Sequence, residues 1–106
     1  MIKSNIYHIC TQKSWADQSK AMDYIHDSLE NENFIHCSNE DQIAGVLKRY
    51  FTETNNLVIL TIKSDMVIPT IKYEIAPIGE YFPHIYGPLN KDAIIEVQEI
   101  DKSRWT

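Results

Sequence analysis

Histidine side chains are the residues of this sequence best suited to chemistry near neutral pH, because imidazole can donate or accept a proton there. Three of the four histidines, His8, His36 and His84, lie in stretches that read as strands or strand ends. With a period of two, the stretch 34–38 directs His36 and Ser38 to the same face of a strand. The sequence therefore predicts an imidazole and a hydroxyl on one face.

Each of these candidates also has an ordinary structural explanation. A strand histidine is commonly a hydrogen-bonded interior or surface residue, Ser38 is placed to cap a following helix, and Glu74 reads as the outward residue of its strand. His84 lies in the stretch 81–89, which combines aromatic residues, prolines and a glycine. That composition suits a ligand-lining segment or a plug at the end of a sheet. Taken together, the three histidines with Ser38, Glu74 and Tyr86 would suit a cleft for a polar ligand.

Length and composition indicate a single domain spanning residues 1–106. The chain is 43% hydrophobic and has no Gly/Ser or Pro tract that would mark a linker. No apolar run resembles a signal peptide or approaches the roughly 20 residues of a membrane span, so we predict a cytoplasmic protein with no membrane partner. The net charge of -5 argues against binding to duplex nucleic acid, but it is compatible with a small anionic ligand.

The two cysteines, Cys10 and Cys37, lie in apolar, strand-like surroundings. We interpret them as free, buried thiols, with a disulfide between them as the alternative. No CxxC or HxxxH spacing is present, so no metal site is predicted. The sequence also lacks a nucleophile elbow, a dinucleotide-binding glycine motif and a phosphate-binding loop.

The hydrophobic pattern places helices early and strands late, which predicts an α+β fold with a small mixed or antiparallel sheet and two helices in the N-terminal half. Ser14 and Ser38 are predicted to cap the helices. Asn33 is predicted to be left-handed. Pro83 and Pro88 are predicted to exclude a central strand through 81–89. The predicted elements are strand 5–10, helix 15–22, loop 23–33 with at most one helical turn, helix 39–51, and strands 57–62, 70–75 and 93–100.

The same patterns predict which side chains face the core. The alternation in strand 5–10 directs His8 to the same face as Ile6 and Cys10, and strand 57–62 is predicted to be buried on both faces. Trp15 and Ala16 are predicted to face the core from the first helix. The second helix is predicted to direct an apolar stripe toward the core, formed by Ile43, Ala44, Leu47, Tyr50 and Phe51.

Several short stretches along the chain together form a recognisable pattern. They are Ile6-Tyr7-His8-Ile9, Trp15, Phe34-Ile35-His36-Cys37-Ser38, Gln42, Arg49-Tyr50-Phe51, the stretch 57–60, Lys72-Tyr73-Glu74 and the stretch 82–88. With this pattern the chain resembles a bacterial family known as domain of unknown function 952. The likeness extends over nearly the whole chain, and one departure is Asn33, where that family usually has glycine.

The resemblance implies a compact ADP-ribosyltransferase-like fold and, with it, NAD as a substrate. In such a fold His8 would contact the ribose on the nicotinamide side, and His36 with Ser38 resembles the His-x-Ser element of RNA 2'-phosphotransferases. Glu74 is the plausible counterpart of the late catalytic glutamate, and Tyr86 is placed to stack on nicotinamide.

Three functions are therefore open. The first is an NAD-dependent or ADP-ribose-handling transferase with catalytic His8, His36 and Glu74, and with Ser38, His84 and Tyr86 as ligand contacts. The second is a non-catalytic module of the same fold that binds a small molecule or a protein. The third is removal of a 2'-phosphate from RNA, which the acidic charge and scattered basic residues disfavour.

Overall fold

The computed structural model describes residues 3–52, 54 and 56–101. The predicted α+β class is confirmed, and every strand pair in this part of the chain is antiparallel. Within these ranges, three short helices and three 3₁₀ turns connect the strands. The helices and strands are β1 (Asn5–Thr11), α1 (Gln12–Asp17), β2 (Asp23–Tyr24), α2 (Asp27–Glu32), β3 (Ile35–His36), α3 (Ile43–Tyr50), β4 (Asn56–Lys63), β5 (Thr70–Ile75), β6 (Tyr81–Tyr86), β7 (Leu89–Asn90) and β8 (Ile94–Asp101).

The largest sheet has the order β1-β4-β8, with β4 at its centre. The prediction that residues 57–62 form a strand buried on both faces is confirmed, since all six are buried. On one face Leu60 belongs to a core cluster that includes Ile35 and Ile85. On the other face Ile59 packs with Leu47 of α3. The apolar run is therefore explained by layers on both sides of the sheet.

The second sheet, β3-β6-β5, places the histidines in register. His36 of β3 is the cross-strand partner of His84 of β6, and Lys72 of β5 is the partner of His84 on the other side. Ile35 and Ile85 are fully buried. Because side chains alternate along a strand, His36 and His84 lie on the opposite, outer face of this sheet.

The prediction that prolines exclude a central strand is wrong for β6, which contains Pro83 and pairs on both sides. The carbonyl of Pro83 accepts a hydrogen bond from Cys37 N at 3.0 Å. In an antiparallel ladder the N–H and C=O of one residue face the same neighbour, so the missing N–H of Pro83 lies toward β3. That strand has ended at His36, so the proline removes no bond of the regular ladder.

The first helix begins earlier than predicted. α1 starts at Gln12 because the Thr11 hydroxyl, not that of Ser14, caps it by accepting a hydrogen bond from Ser14 N at 3.0 Å. The predicted bounds 15–22 are therefore wrong, since α1 spans Gln12–Asp17. Trp15 packs against the core as predicted, whereas Ala16 is exposed.

The segment 23–33 is more ordered than the predicted loop. It forms β2, which pairs with β7, and then α2. The cap of α2 is the imidazole of His26, whose Nδ1 accepts a hydrogen bond from Ser28 N at 3.2 Å. Asn33 ends the helix with φ of 72°, which confirms its predicted left-handed conformation.

The predicted helix 39–51 begins as a 3₁₀ turn, Glu40–Gln42, and continues as α3. Ser38 is not its cap. The turn is closed by the Gln42 side chain, whose Oε1 accepts a hydrogen bond from Asn39 N at 2.9 Å. The helix buries Ile43 and Leu47 as predicted. Two residues predicted for the same stripe, Ala44 and Tyr50, are exposed.

Cys10 and Cys37 are free and buried. None of the helices in the described ranges has the length and apolar character needed to cross a membrane.

Candidate functional site

A cluster of aromatic, imidazole and carboxylate side chains occupies the outer face of the β3-β6-β5 sheet. The rings of His36 and His84 stand with their centroids 5.3 Å apart and nearly perpendicular. Each imidazole is held by a different carboxylate. We call this surface the histidine face and define it by Glu32, Phe34, His36, Lys72, Glu74, His84 and Tyr86.

Glu74 accepts two hydrogen bonds through the same oxygen. Oε1 accepts from His84 Nδ1 at 2.7 Å and from the hydroxyl of Tyr86. The bond from Tyr86, and then the bond from His84, lower the pKa of Glu74. The same hydrogen bond raises the pKa of Tyr86. Glu74 is therefore an ionised carboxylate at neutral pH rather than a freely solvated surface residue.

The hydrogen bond from Nδ1 fixes which nitrogen of neutral His84 carries the proton. Glu74 can only accept at this contact, so Nδ1 is the donor and Nε2 is left unprotonated. Within the described part of the chain, Nε2 of His84 has no hydrogen-bond partner. The His84 side chain is 12% exposed. The pair resembles, in chemistry, the carboxylate-oriented imidazoles that serve as general bases.

Glu32 holds the second imidazole. Its Oε2 lies 2.8 Å from Nε2 of His36, and both side chains are about half exposed. Glu32 was not among the predicted site residues, because it ends α2 while His36 lies on a strand. The left-handed Asn33 folds the chain between them so that the two side chains meet.

Aromatic rings cover one side of the histidine face. Phe34 stacks on His84 with a centroid distance of 4.0 Å and an interplanar angle of 13°. Its centroid is 5.3 Å from that of Tyr86. The ammonium of Lys72 lies 4.7 Å from the Tyr86 ring centroid. Phe34 was also absent from the predicted site residues.

His8 lies behind this face and not on it. Only 2% of it is exposed. Its Nδ1–H donates to the carbonyl of His36 at 2.6 Å, and its Nε2 accepts from the Tyr24 hydroxyl at 2.9 Å. Burial lowers the pKa of His8 to about 3, against the opposing effect of the hydrogen bond to His36. The ring is therefore neutral, and both of its nitrogens are occupied by the protein.

The prediction that Ser38 and His36 share one face of a strand is wrong. The strand alternation ends at His36, and both Cys37 and Ser38 are buried. The backbone of Ser38 instead pairs with Tyr7 of β1, through bonds of 2.7 and 2.8 Å. The structure thus brings together His36, Glu74, His84 and Tyr86, and it separates Ser38 from them.

In the described part of the chain, two cavities lie away from the histidine face. One of about 500 Å³ is lined by residues that include Tyr7, Ile59 and Glu96. A second of about 330 Å³ is lined by residues that include Lys3, Tyr7 and Asn39. Among residues 3–52, 54 and 56–101, no group of three His, Cys, Asp or Glu side chains is arranged to hold a metal ion.

The family that matches this chain has no assigned activity. Residues 9–97 match the family model described as "Protein of unknown function (DUF952)". No curated protein matches the chain. The fold is similar to that of protein CC0527 from Caulobacter crescentus, at 24% sequence identity.

Three structures of CC0527 share this likeness. Its crystal structure and that of a double mutant each give a TM-score of 0.83, covering 92% of this chain and 86% of that one. Its solution NMR structure gives a TM-score of 0.79, covering 93% of this chain and 86% of that one. At this identity the likeness establishes the shared fold alone.

Proposed function

The chain belongs to the DUF952 family, and we propose that it is an ADP-ribosyltransferase-like enzyme that binds NAD or ADP-ribose at the histidine face. The observation that carries the proposal is the ionised Glu74 carboxylate, held between His84 and Tyr86. Cleavage of the nicotinamide glycosidic bond develops positive charge on the ribose. A fixed, partly exposed carboxylate is the group that stabilises such charge.

The neighbours of Glu74 supply the contacts that a dinucleotide needs. His36 is half exposed and able to hydrogen-bond ribose hydroxyls. His84 has one ring nitrogen with no partner in the described ranges. Tyr86 and Phe34 offer aromatic surfaces on which a planar base such as nicotinamide stacks. Each of these groups supports binding of a polar ligand with a flat ring.

The two other residues predicted from sequence take indirect parts in this proposal. His8 holds the carbonyl of His36, so it positions the strand that carries the exposed imidazole. It contacts a ligand only if the Tyr24 hydroxyl releases its Nε2. Ser38 contacts a ligand only if the chain opens between β1 and β3, because it is 4% exposed.

Binding and turnover can be tested separately. Calorimetry and ligand-observed NMR with millimolar NAD and ADP-ribose are expected to show binding by the wild-type protein. Release of nicotinamide from NAD is expected to fall by roughly 100-fold or more in the Glu74→Gln variant, as for loss of a preorganised electrostatic contact. The matched control is Glu99→Gln, because Glu99 is exposed on β8. If neither NAD nor ADP-ribose binds to the wild-type protein, the proposal is overturned.

A non-catalytic binding module is the second candidate, and the burial of His8 favours it. An active centre that uses His8 directly needs this ring accessible, yet both of its nitrogens are bonded within the protein. A module of this kind would bind NAD or ADP-ribose without releasing nicotinamide, and binding would persist in Glu74→Gln. Nicotinamide release that depends on Glu74 would exclude it.

A further inference from the structure

A row of three nitrogen-bearing side chains crosses the β3-β6-β5 sheet. His36, His84 and Lys72 are consecutive cross-strand partners. Direct cross-strand neighbours have Cβ atoms about 5 Å apart on one side of the sheet. The row therefore presents two imidazoles and one ammonium on the histidine face, whatever ligand binds beside Glu74.

Each of the two imidazoles has a carboxylate at one ring nitrogen. Glu74 binds Nδ1 of His84 and Glu32 binds Nε2 of His36, so each ring has one nitrogen occupied. In the described part of the chain the other nitrogen of each ring, Nε2 of His84 and Nδ1 of His36, has no hydrogen-bond partner. The charged and titratable groups around them are Glu32 from α2, Lys72 and Glu74 from β5 and Tyr86 from β6, with His8 and His26 behind.

We propose that this row hydrolyses a small cyclic phosphodiester of a nucleoside, with His36 and His84 as the proton-transfer pair and Lys72 as the cation that holds the phosphate. The ring centroids of His36 and His84 are 5.3 Å apart, a separation that one phosphate group can bridge through charge-assisted hydrogen bonds of about 2.8 Å. Lys72 is exposed beside them. The inference does not rest on NAD binding.

The reaction balances with water as the only co-reactant. One imidazole removes a proton from water as the water oxygen forms a bond to phosphorus. The bond from phosphorus to one ribose oxygen breaks, and the other imidazole gives its proton to that oxygen. The product is a phosphate monoester, and exchange with solvent returns both rings to their starting protonation.

The acidic net charge of -5 limits the substrate to a small molecule, because a polynucleotide needs a broad basic surface. Phe34 and Tyr86 flank the row and provide the stacking surface for a nucleobase. A nucleoside 2',3'-cyclic phosphate has the required size, charge and flat ring.

The test uses the full chain with 2',3'-cyclic AMP, and ³¹P NMR to follow formation of the monoester. His84→Asn and His36→Gln are the sharpest variants, because each amide retains a donor for the carboxylate but cannot transfer a proton. Each is expected to lower the rate by about 100-fold or more, and the wild-type rate is expected to have a bell-shaped dependence on pH.

The matched control is His26→Asn, because asparagine also caps helices and His26 lies outside the row. Its rate is expected to stay near that of wild type. Lys72→Gln is expected to raise KM more than it lowers kcat.

Failure to form monoester between pH 5 and 9, or wild-type rates in His84→Asn, would overturn the inference. Nicotinamide release is measured on the same preparation. If the protein binds NAD but leaves the cyclic phosphate intact, only this inference is contradicted. If it hydrolyses the cyclic phosphate but binds neither NAD nor ADP-ribose, only the proposed function is contradicted.

Discussion

His8 and His84 are the same residue type in two different environments, one inside the core and the other at the edge of a surface cluster. His8 is 2% exposed, with both nitrogens bonded to groups of the protein that have no full charge. His84 is bonded to a carboxylate at one nitrogen only. Burial without a charged partner makes an imidazole a structural hydrogen-bonding group, whereas a carboxylate at the surface prepares it for proton transfer.

Replacement of His8 by phenylalanine gives the largest expected effect, because it tests the structural half of this comparison. The substitution retains volume but leaves the Tyr24 hydroxyl and the His36 carbonyl without their partner. We expect the free energy of unfolding to fall by about 3 kcal/mol, since each buried unpaired group costs roughly 1 to 3 kcal/mol. Urea unfolding measures the loss. His84→Asn is the matched control, and an equal loss in both variants would contradict the distinction.

As the pH falls, the neutral, buried His8 should lower the stability of the protein at a higher pH than Glu74 does. The pKa of His8 is about 3 in the folded protein and 6.5 as the ordinary value, so the unfolded chain binds the proton first and stability falls as pH falls below 6.5. Between pH 6.5 and 5 the loss is about 2 kcal/mol from this residue.

His26, whose pKa is also lowered chiefly by burial, adds to the loss in the same direction. Glu74 has a folded pKa below its ordinary value of 4.5, so its contribution is lost only at lower pH. Between pH 8 and 4, the free energy of unfolding should depend less steeply on pH in His8→Phe than in the wild-type protein. A flat profile for wild type between pH 6.5 and 5 would contradict the assignment of His8 as neutral and buried.

Glu74→Gln tests the surface half of the comparison, through the hydrogen bond between Glu74 and Tyr86. The hydrogen bond to Glu74 raises the pKa of Tyr86, so removal of the negative charge should lower that pKa toward its ordinary value. An NMR titration with labelled tyrosine rings measures the change, with Glu99→Gln as the control. An unchanged Tyr86 titration would show that the Glu74 contact does not form in solution.

Glu32→Gln should have the smallest effect on stability. The Glu32–His36 pair is about half exposed on both sides, and exposed ion pairs contribute roughly 0.2 to 1 kcal/mol. We expect the free energy of unfolding to change by less than about 0.5 kcal/mol, as measured by urea unfolding. A much larger loss would mean that the pair anchors α2 to β3.

Hydrophobic patterning was sufficient to predict the parts of the fold that depend on burial. The stretch 57–62 and the alternation around His8 depend on which side chains avoid water, and both predictions were confirmed. The left-handed Asn33 was also predictable, because few residues tolerate that conformation. These features are fixed by local chemistry and by the period of the strand.

Tertiary contacts decided what the sequence could not predict. Pro83 fits a central strand only because β3 is two residues long, which no local signal reveals. Ser38 pairs with Tyr7 across the fold and not with the helix beside it. Glu32 and Phe34 lie beside His36 and His84 because the turn at Asn33 folds the chain toward β6. The sequence therefore indicated some of the residues that meet on the histidine face, but not the full set.

The two free cysteines make the closed state of the core measurable. Cys10 and Cys37 are 2% and 3% exposed, and burial raises the pKa of both thiols. Alkylation requires an accessible thiolate, so these thiols react only when the packing around β1 or the chain beyond β3 separates. The rate at which the two thiols are alkylated therefore measures how often the core next to His8 opens. The measurement needs no substitution in the protein.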